Sequence, residues 1–165
     1  MLDQKTFLQG INYLKANYIN WGFDLNNDLM IKVWFKKFSN LEPQTFISIV
    51  EKYTELNKFP PNSPADLIEL IRLQLTQQEL DANEAWALIQ KLYVDHFYSY
   101  SKIYADIEDK PALYHTLKTF ERELSLYGAN PYIINAFKKH YENTLKGYVE
   151  SKSNSLLGSN VLFLK

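Results

Sequence analysis

The stretch that decides the fold is KFPPNSPADL, residues 58 to 67. Proline holds φ at about -65° and biases the residue before it toward extended geometry, so Phe59 and Pro60 leave helical space. Ser63 is placed to cap a helix beginning at Pro64, where a missing amide costs nothing. The stretch therefore predicts a rigid corner with a helix start built into it.

The segments upstream of this corner read as three helices, because apolar residues recur at three- and four-residue spacing. The first helix is predicted from a cap at Asp3 to about Asn20, the second after Asn26 or Asn27, and the third from Pro43. The side of the second helix that is predicted to face solvent carries lysines. Its predicted inward stripe is Met30, Ile31, Trp34, Phe35 and Phe38.

Downstream of the corner, the sequence Thr76-Gln-Gln-Glu79 has the form of a capping box and predicts that a new helix starts there. Residues 99–110 have a mixed pattern and are predicted to be irregular. Pro111 opens a further helix that closes at Gly128, and Asn130 before Pro131 caps the last long helix.

These segments predict an all-α protein, a bundle of about seven helices whose length allows two small helical subdomains. The predicted domains are 1–76, with Trp34 and the Pro60-Pro61 corner, and 77–150, a second helical region. Residues 151–165 lose helical periodicity and are predicted to form a flexible or docked apolar tail.

Composition is that of a globular protein without disulfides. The 165 residues are 46% hydrophobic and 22% charged, and there is no cysteine. The aromatic share of 15% is high, and aromatic residues are enriched at protein interfaces. No apolar run approaches the roughly 20 residues of a membrane span, so a soluble, cytoplasmic protein is expected.

Charge argues against direct binding to duplex DNA. The net charge is -1, and the chain has two arginines, Arg72 and Arg122. Phosphate neutralisation requires clustered Lys and Arg, and bidentate base contacts favour arginine. Direct nucleic-acid binding is therefore expected to be weak or absent.

No motif for catalysis is visible. The five glycines are isolated, which excludes a phosphate-binding loop, and His96, His115 and His140 lack the spacing of metal ligands. We therefore predict no catalytic residues, no metal and no cofactor, and interpret the protein as not an enzyme.

Two sets of apolar residues are candidates for contact with a partner. Tyr93, Phe97, Tyr98, Tyr100 and Tyr104 form an aromatic series, in which Tyr93 and Phe97 are predicted to share a core stripe and the others to cover the core or form a protein interface. The second set lies in the tail, where apolar groups outside a periodic helix indicate a binding segment. The tail residues predicted to bind a partner are Leu156, Leu157, Val161, Leu162, Phe163 and Leu164.

The order of several short pieces resembles the phage replicative helicase loader and inhibitor family, small helical proteins encoded beside a replicative helicase. The pieces cover most of the chain, although the additional proline in Asn62-Ser63-Pro64 and the apolar tail depart from the family pattern. They are Val33-Trp34-Phe35, Tyr53 followed by Lys58-Phe59-Pro60-Pro61, Ala65-Asp66-Leu67-Ile68, Glu84-Ala85-Trp86, Tyr127-Gly128 and Phe137-Lys138-Lys139-x-Tyr141.

This resemblance implies an adaptor without catalysis in a bacterial host cell. Such a protein binds a hexameric helicase of the DnaB type, inhibits it, and helps load it at a replication origin through an initiator protein. The alternative is a helical, DNA-binding phage replication protein or replisome organiser, which predicts salt-sensitive affinity for origin DNA.

Overall fold

The computed structural model describes residues 1–158, and this part of the chain is built from α-helices without strands. The all-α prediction is confirmed. The described residues form eight helices: α1 Gln4–Asn17, α2 Asp28–Phe38, α3 Pro43–Leu56, α4 Pro64–Gln77, α5 Ala82–Asp95, α6 Tyr100–Asp106, α7 Pro111–Tyr127 and α8 Pro131–Leu157.

The chain divides into two compact units. The N-terminal unit comprises Met1–Leu75 together with the described residues from Ser151 onward, and the central unit comprises Thr76–Glu150. The predicted domains, 1–76 and 77–150, stay a prediction. Among the described residues, no helix is both long and apolar enough to cross a membrane.

The N-terminal unit is held by an aromatic core. Phe7 and Phe46 are fully buried with ring centroids 5.5 Å apart, and Phe38 packs on Phe46 at 5.3 Å. Gly10 of α1 lies against the same ring, since a Cβ atom there would stand 2.6 Å from Phe46 Cε1. A glycine is therefore needed at this crossing of α1 and α3.

Local caps begin the helices of this unit as the sequence predicts. The Asp3 carboxylate accepts a hydrogen bond from the Thr6 amide, and Asn27 accepts one from the Met30 amide at 3.0 Å. Pro43 occupies the first turn of α3. α1 ends at Asn17, three residues before the predicted end.

Two predictions for the following segment are wrong. Residues 76–79 do not start a helix, because α4 continues to Gln77, and the capping box lies at Asp81 and Glu84 at the start of α5. Residues 99–110 are not irregular throughout, because Tyr100–Asp106 forms α6, whose Ile103 is fully buried.

The ends of the last two helices follow the predicted signals, except at the C-terminus. Gly128 ends α7 with φ of 66°, and the Asn130 side chain accepts a hydrogen bond from the Ile133 amide at 3.0 Å. α8 runs seven residues past the predicted end at 150. Its buried residues recur at every fourth position: Ile133, Phe137, Tyr141, Leu145, Val149, Ser153 and Leu157.

Tyr141 lies in the core of the central unit and donates a hydrogen bond from its hydroxyl to the Leu80 carbonyl at 2.9 Å. Burial, followed by the carboxylates of Glu79, Asp81 and Glu84, raises the pKa of Tyr141 from 10.0 to about 12. Between these pH values the unfolded chain releases a proton that the folded chain keeps. The contribution of Tyr141 to the free energy of unfolding is therefore fully present below pH 10 and is lost as the pH rises toward 12.

Replacement of Tyr141 by phenylalanine is expected to lower stability at neutral pH and to reduce the dependence of stability on pH above 10. At pH 8 the variant loses about 1 kcal/mol of stability, since the Leu80 carbonyl loses its partner. Above pH 10 the stability of the variant declines less steeply than that of the native chain. Urea unfolding across this pH range, with Tyr132→Phe at an exposed site as control, measures both effects. Equal alkaline slopes for the native chain and the Tyr141 variant contradict this account.

Candidate protein-binding surfaces

The corner before α4 is fixed by two hydrogen bonds from the connection after α1. Trp21 Nε1 donates to the Pro61 carbonyl at 2.8 Å, and the Tyr18 hydroxyl donates to the Asn57 carbonyl at 2.7 Å. Both acceptors belong to backbone that has left helical geometry and needs partners. The corner is thereby attached to the aromatic core, in which Trp21 packs on Trp34 at 5.6 Å.

The start of α4 is capped from both directions. Ser63 Oγ accepts a hydrogen bond from the Ala65 amide at 3.2 Å, as the sequence predicts. The Asp66 carboxylate reaches back and accepts from the amides of Asn62 and Ser63 at 2.7 and 3.2 Å. Together these hydrogen bonds satisfy three amides at the start of α4 and hold the residues after Pro61 in place.

Three open grooves border this corner, and Pro60 lines each of them. Their volumes are about 470, 390 and 330 Å³. The Phe59 side chain is exposed and lines two of the three. A rigid apolar ridge between open grooves suits contact with another protein.

A second exposed surface is the turn between α5 and α6, which we call the aromatic turn, Phe97 and Tyr98. Both residues have positive φ, 51° and 64°, a region that aromatic side chains rarely enter. Their side chains are 90% and 71% exposed. The prediction that Phe97 belongs to a core stripe is wrong, because α5 ends at Asp95 and the next residues turn outward.

Hydrogen bonds on both sides hold the aromatic turn in this conformation. The Tyr98 amide donates to the Tyr93 carbonyl at 2.9 Å, and the Ser99 amide donates to the His96 carbonyl at 3.0 Å. The His96 ring is 2.6 Å from the Asp106 carboxylate, which connects the end of α5 to the end of α6. These contacts hold Phe97 and Tyr98 in an unfavourable backbone conformation, and such conformations are common at functional sites.

The other tyrosines of the series form a hydrogen-bonded cluster beneath the turn. The Tyr93 hydroxyl donates to that of Tyr100 at 2.8 Å, and the Tyr104 hydroxyl donates to the Glu121 carboxylate at 2.7 Å. Burial of Tyr93 and Tyr104 raises the pKa of both phenols. The cluster supports the turn, and an open groove of about 420 Å³ runs from Tyr93 and Tyr98 to Gly128.

The two predicted tail residues that the structure describes differ in exposure. Leu156 is exposed near the end of α8, whereas Leu157 is buried in the core of the N-terminal unit and is not available to a partner in this conformation. Val161, Leu162, Phe163 and Leu164 lie outside the described residues. The predicted role of the tail stays a prediction.

No group of three or more His, Cys, Asp or Glu side chains within residues 1–158 is arranged to hold a metal ion. These surfaces offer exposed aromatic rings, open grooves and backbone held by helix caps, which are features suited to contact with a partner. The chain matches no protein-family model, no curated protein and no solved structure.

Proposed function

We propose that the protein is a non-catalytic adaptor that binds a replicative DNA helicase of the DnaB type. In this role it inhibits the helicase and helps load it at a replication origin, with an origin initiator as a further partner, in the cytoplasm of a bacterial host. Binding to another protein is the part of the proposal for which the geometry offers direct support.

The observation that carries the binding role is the aromatic turn. A non-glycine residue in the left-handed region costs about 1 to 2 kcal/mol, and this turn contains two in succession. Burial of the two side chains offsets little of that cost, because Phe97 and Tyr98 are 90% and 71% exposed. A partner that covers both rings recovers apolar burial, and rings of this kind are frequent hot spots of binding.

The choice of a helicase as partner depends on the sequence resemblance. Two of the pieces that carry it lie where the structure is locally fixed: Lys58-Phe59-Pro60-Pro61 in the corner and Ala65-Asp66-Leu67-Ile68 at the start of α4. Rigid backbone favours binding because less conformational freedom is lost in the complex. The corner and the aromatic turn are therefore the surfaces to test against a helicase.

The test is size-exclusion chromatography of the full chain with the hexameric DnaB-type helicase of the host bacterium, followed by a strand-unwinding assay. We expect co-elution and reduced unwinding. A parallel gel shift with duplex origin DNA across a salt series addresses the alternative function. Separate elution with unchanged unwinding rejects the helicase role, and salt-sensitive retention of DNA by the protein without helicase favours the DNA-binding alternative.

A further inference from the structure

The solvent-facing side of α2 combines exposed apolar and basic residues. Leu29 and Val33 are 71% and 49% exposed, and Lys32, Lys36 and Lys37 are exposed beside them. At about 100° of rotation per residue, these five positions occupy an arc of roughly 140°. We call this arc the α2 outer face. The opposite side of the helix carries the buried residues Ile31, Trp34 and Phe38.

The face is apolar toward the start of α2 and basic along both flanks and toward the end of the helix. Leu29 and Val33 lie between Lys32 on one side and Lys37 on the other, with Lys36 one turn further along the same stripe. Protein interfaces likewise combine apolar contact residues with charged, solvent-accessible residues at the edge.

The three lysines have no acidic partner among residues 1–158. Their ammonium groups form no such ion pair there, in contrast to Lys52 with Glu55 and Lys110 with Asp109. Asp28 precedes Lys32 by four residues on the same helix without pairing with it. The positive charge of this face is therefore available to an external group.

We propose that the α2 outer face binds an acidic amphipathic helix of a partner protein. The apolar side of that helix covers Leu29 and Val33, and its carboxylates pair with the flanking lysines. From Leu29 to Lys37 the face is about 12 Å long, which matches two to three turns of a helix. Recognition of an amphipathic helix through spaced apolar anchors is a common mode of protein binding.

The apolar residues of the face favour a protein over a nucleic acid as the occupant. A phosphate backbone would leave Leu29 and Val33 without apolar partners, and α2 contains no arginine for bidentate phosphate contacts. The proposal does not depend on which protein supplies the helix, so it can fail while the helicase role holds, and the reverse is also true.

The experiment is selection of a display library of helical peptides, of about 18 residues to favour helix formation in water, against the folded full chain. We expect enrichment of peptides with aspartate or glutamate beside an apolar stripe. The charge-reversal variant Lys32→Glu, Lys36→Glu, Lys37→Glu is expected to bind these peptides at least about tenfold more weakly. The pair Leu29→Ser, Val33→Ser is expected to weaken them similarly while leaving the charge unchanged.

The matched control is Lys91→Glu, Lys118→Glu, Lys139→Glu, which makes the same charge change at exposed positions of the central unit. It is expected to bind the selected peptides like the native chain, and circular dichroism checks that every variant is folded. Failure to enrich any peptide, enrichment of peptides without acidic residues, or equal binding to both charge-reversal variants overturns the proposal. Retention of duplex DNA that only the α2 variant loses overturns it in favour of a nucleic-acid surface.

Discussion

Phe97→Gly is expected to raise the stability of the protein while weakening its binding to the proposed helicase partner. Glycine adopts φ of 51° without the steric cost that a β-carbon imposes, a gain of about 1 to 2 kcal/mol. The greater entropy of glycine in the unfolded chain removes part of this gain, which leaves a net increase of about 0.5 to 1 kcal/mol. Because the Phe97 ring is 90% exposed, its removal costs little core packing.

Binding is expected to fall by about 30-fold, which corresponds to the loss of about 2 kcal/mol at an aromatic hot spot. Urea unfolding measures the stability, and titration with the hexameric DnaB-type helicase measures the affinity. The matched control is Phe97→Ala, which removes the ring but keeps a β-carbon in the left-handed region. It is expected to lose affinity to the same extent without gaining stability. Native affinity in both variants contradicts the role of the turn.

Gly10→Ala is expected to destabilise the N-terminal unit by about 2 kcal/mol, although this substitution usually stabilises a helix. The new Cβ would lie 2.6 Å from Phe46 Cε1. The Phe46 ring cannot move aside easily, because it is fully buried between Phe7 and Phe38. The measurement is urea unfolding followed by tryptophan fluorescence, to which Trp21 and Trp34 of this unit and Trp86 of the central unit contribute.

Gly147 of α8 provides the matched control, since a Cβ there would meet nothing within 4 Å. Gly147→Ala is expected to stabilise by up to about 1 kcal/mol. Adding Phe46→Leu to Gly10→Ala shortens the obstructing side chain and is expected to cost less than the sum of the two single changes. If the losses of stability are additive, or if Gly10→Ala is as stable as the native chain, the crossing of α1 and α3 has room for the added Cβ.

The sequence predicts the helices best where their start signals are local. Asp3, Asn27 and Asn130 each accept a hydrogen bond from an amide three residues later, a pattern that depends on residue type and spacing. Thr76 with Glu79 and Asp81 with Glu84 both fit a capping box, and only the second forms one. The Leu80 carbonyl is bound by Tyr141, 61 residues away, and no local pattern reveals such a contact.

The sequence predicts the candidate surfaces only in part, because only one of them is marked by a local signal. The proline corner is encoded by residues with fixed φ, and the structure places it as expected. The aromatic turn has no such signal, because left-handed helix ends are ordinarily marked by glycine or asparagine and this one contains Phe97 and Tyr98. The helical spacing of Phe97 from Tyr93 extended the stripe beyond the actual end of α5 at Asp95.

The most direct test of the account is hydrogen exchange of the backbone amides of residues 94–100 in the full chain, with and without saturating DnaB-type helicase. The account predicts that the helicase slows exchange at Phe97, Tyr98 and the residues beside them, because the partner covers the turn and suppresses its opening. Helicase that binds the protein while exchange in the turn stays unchanged would contradict the claim that these exposed rings contact the partner.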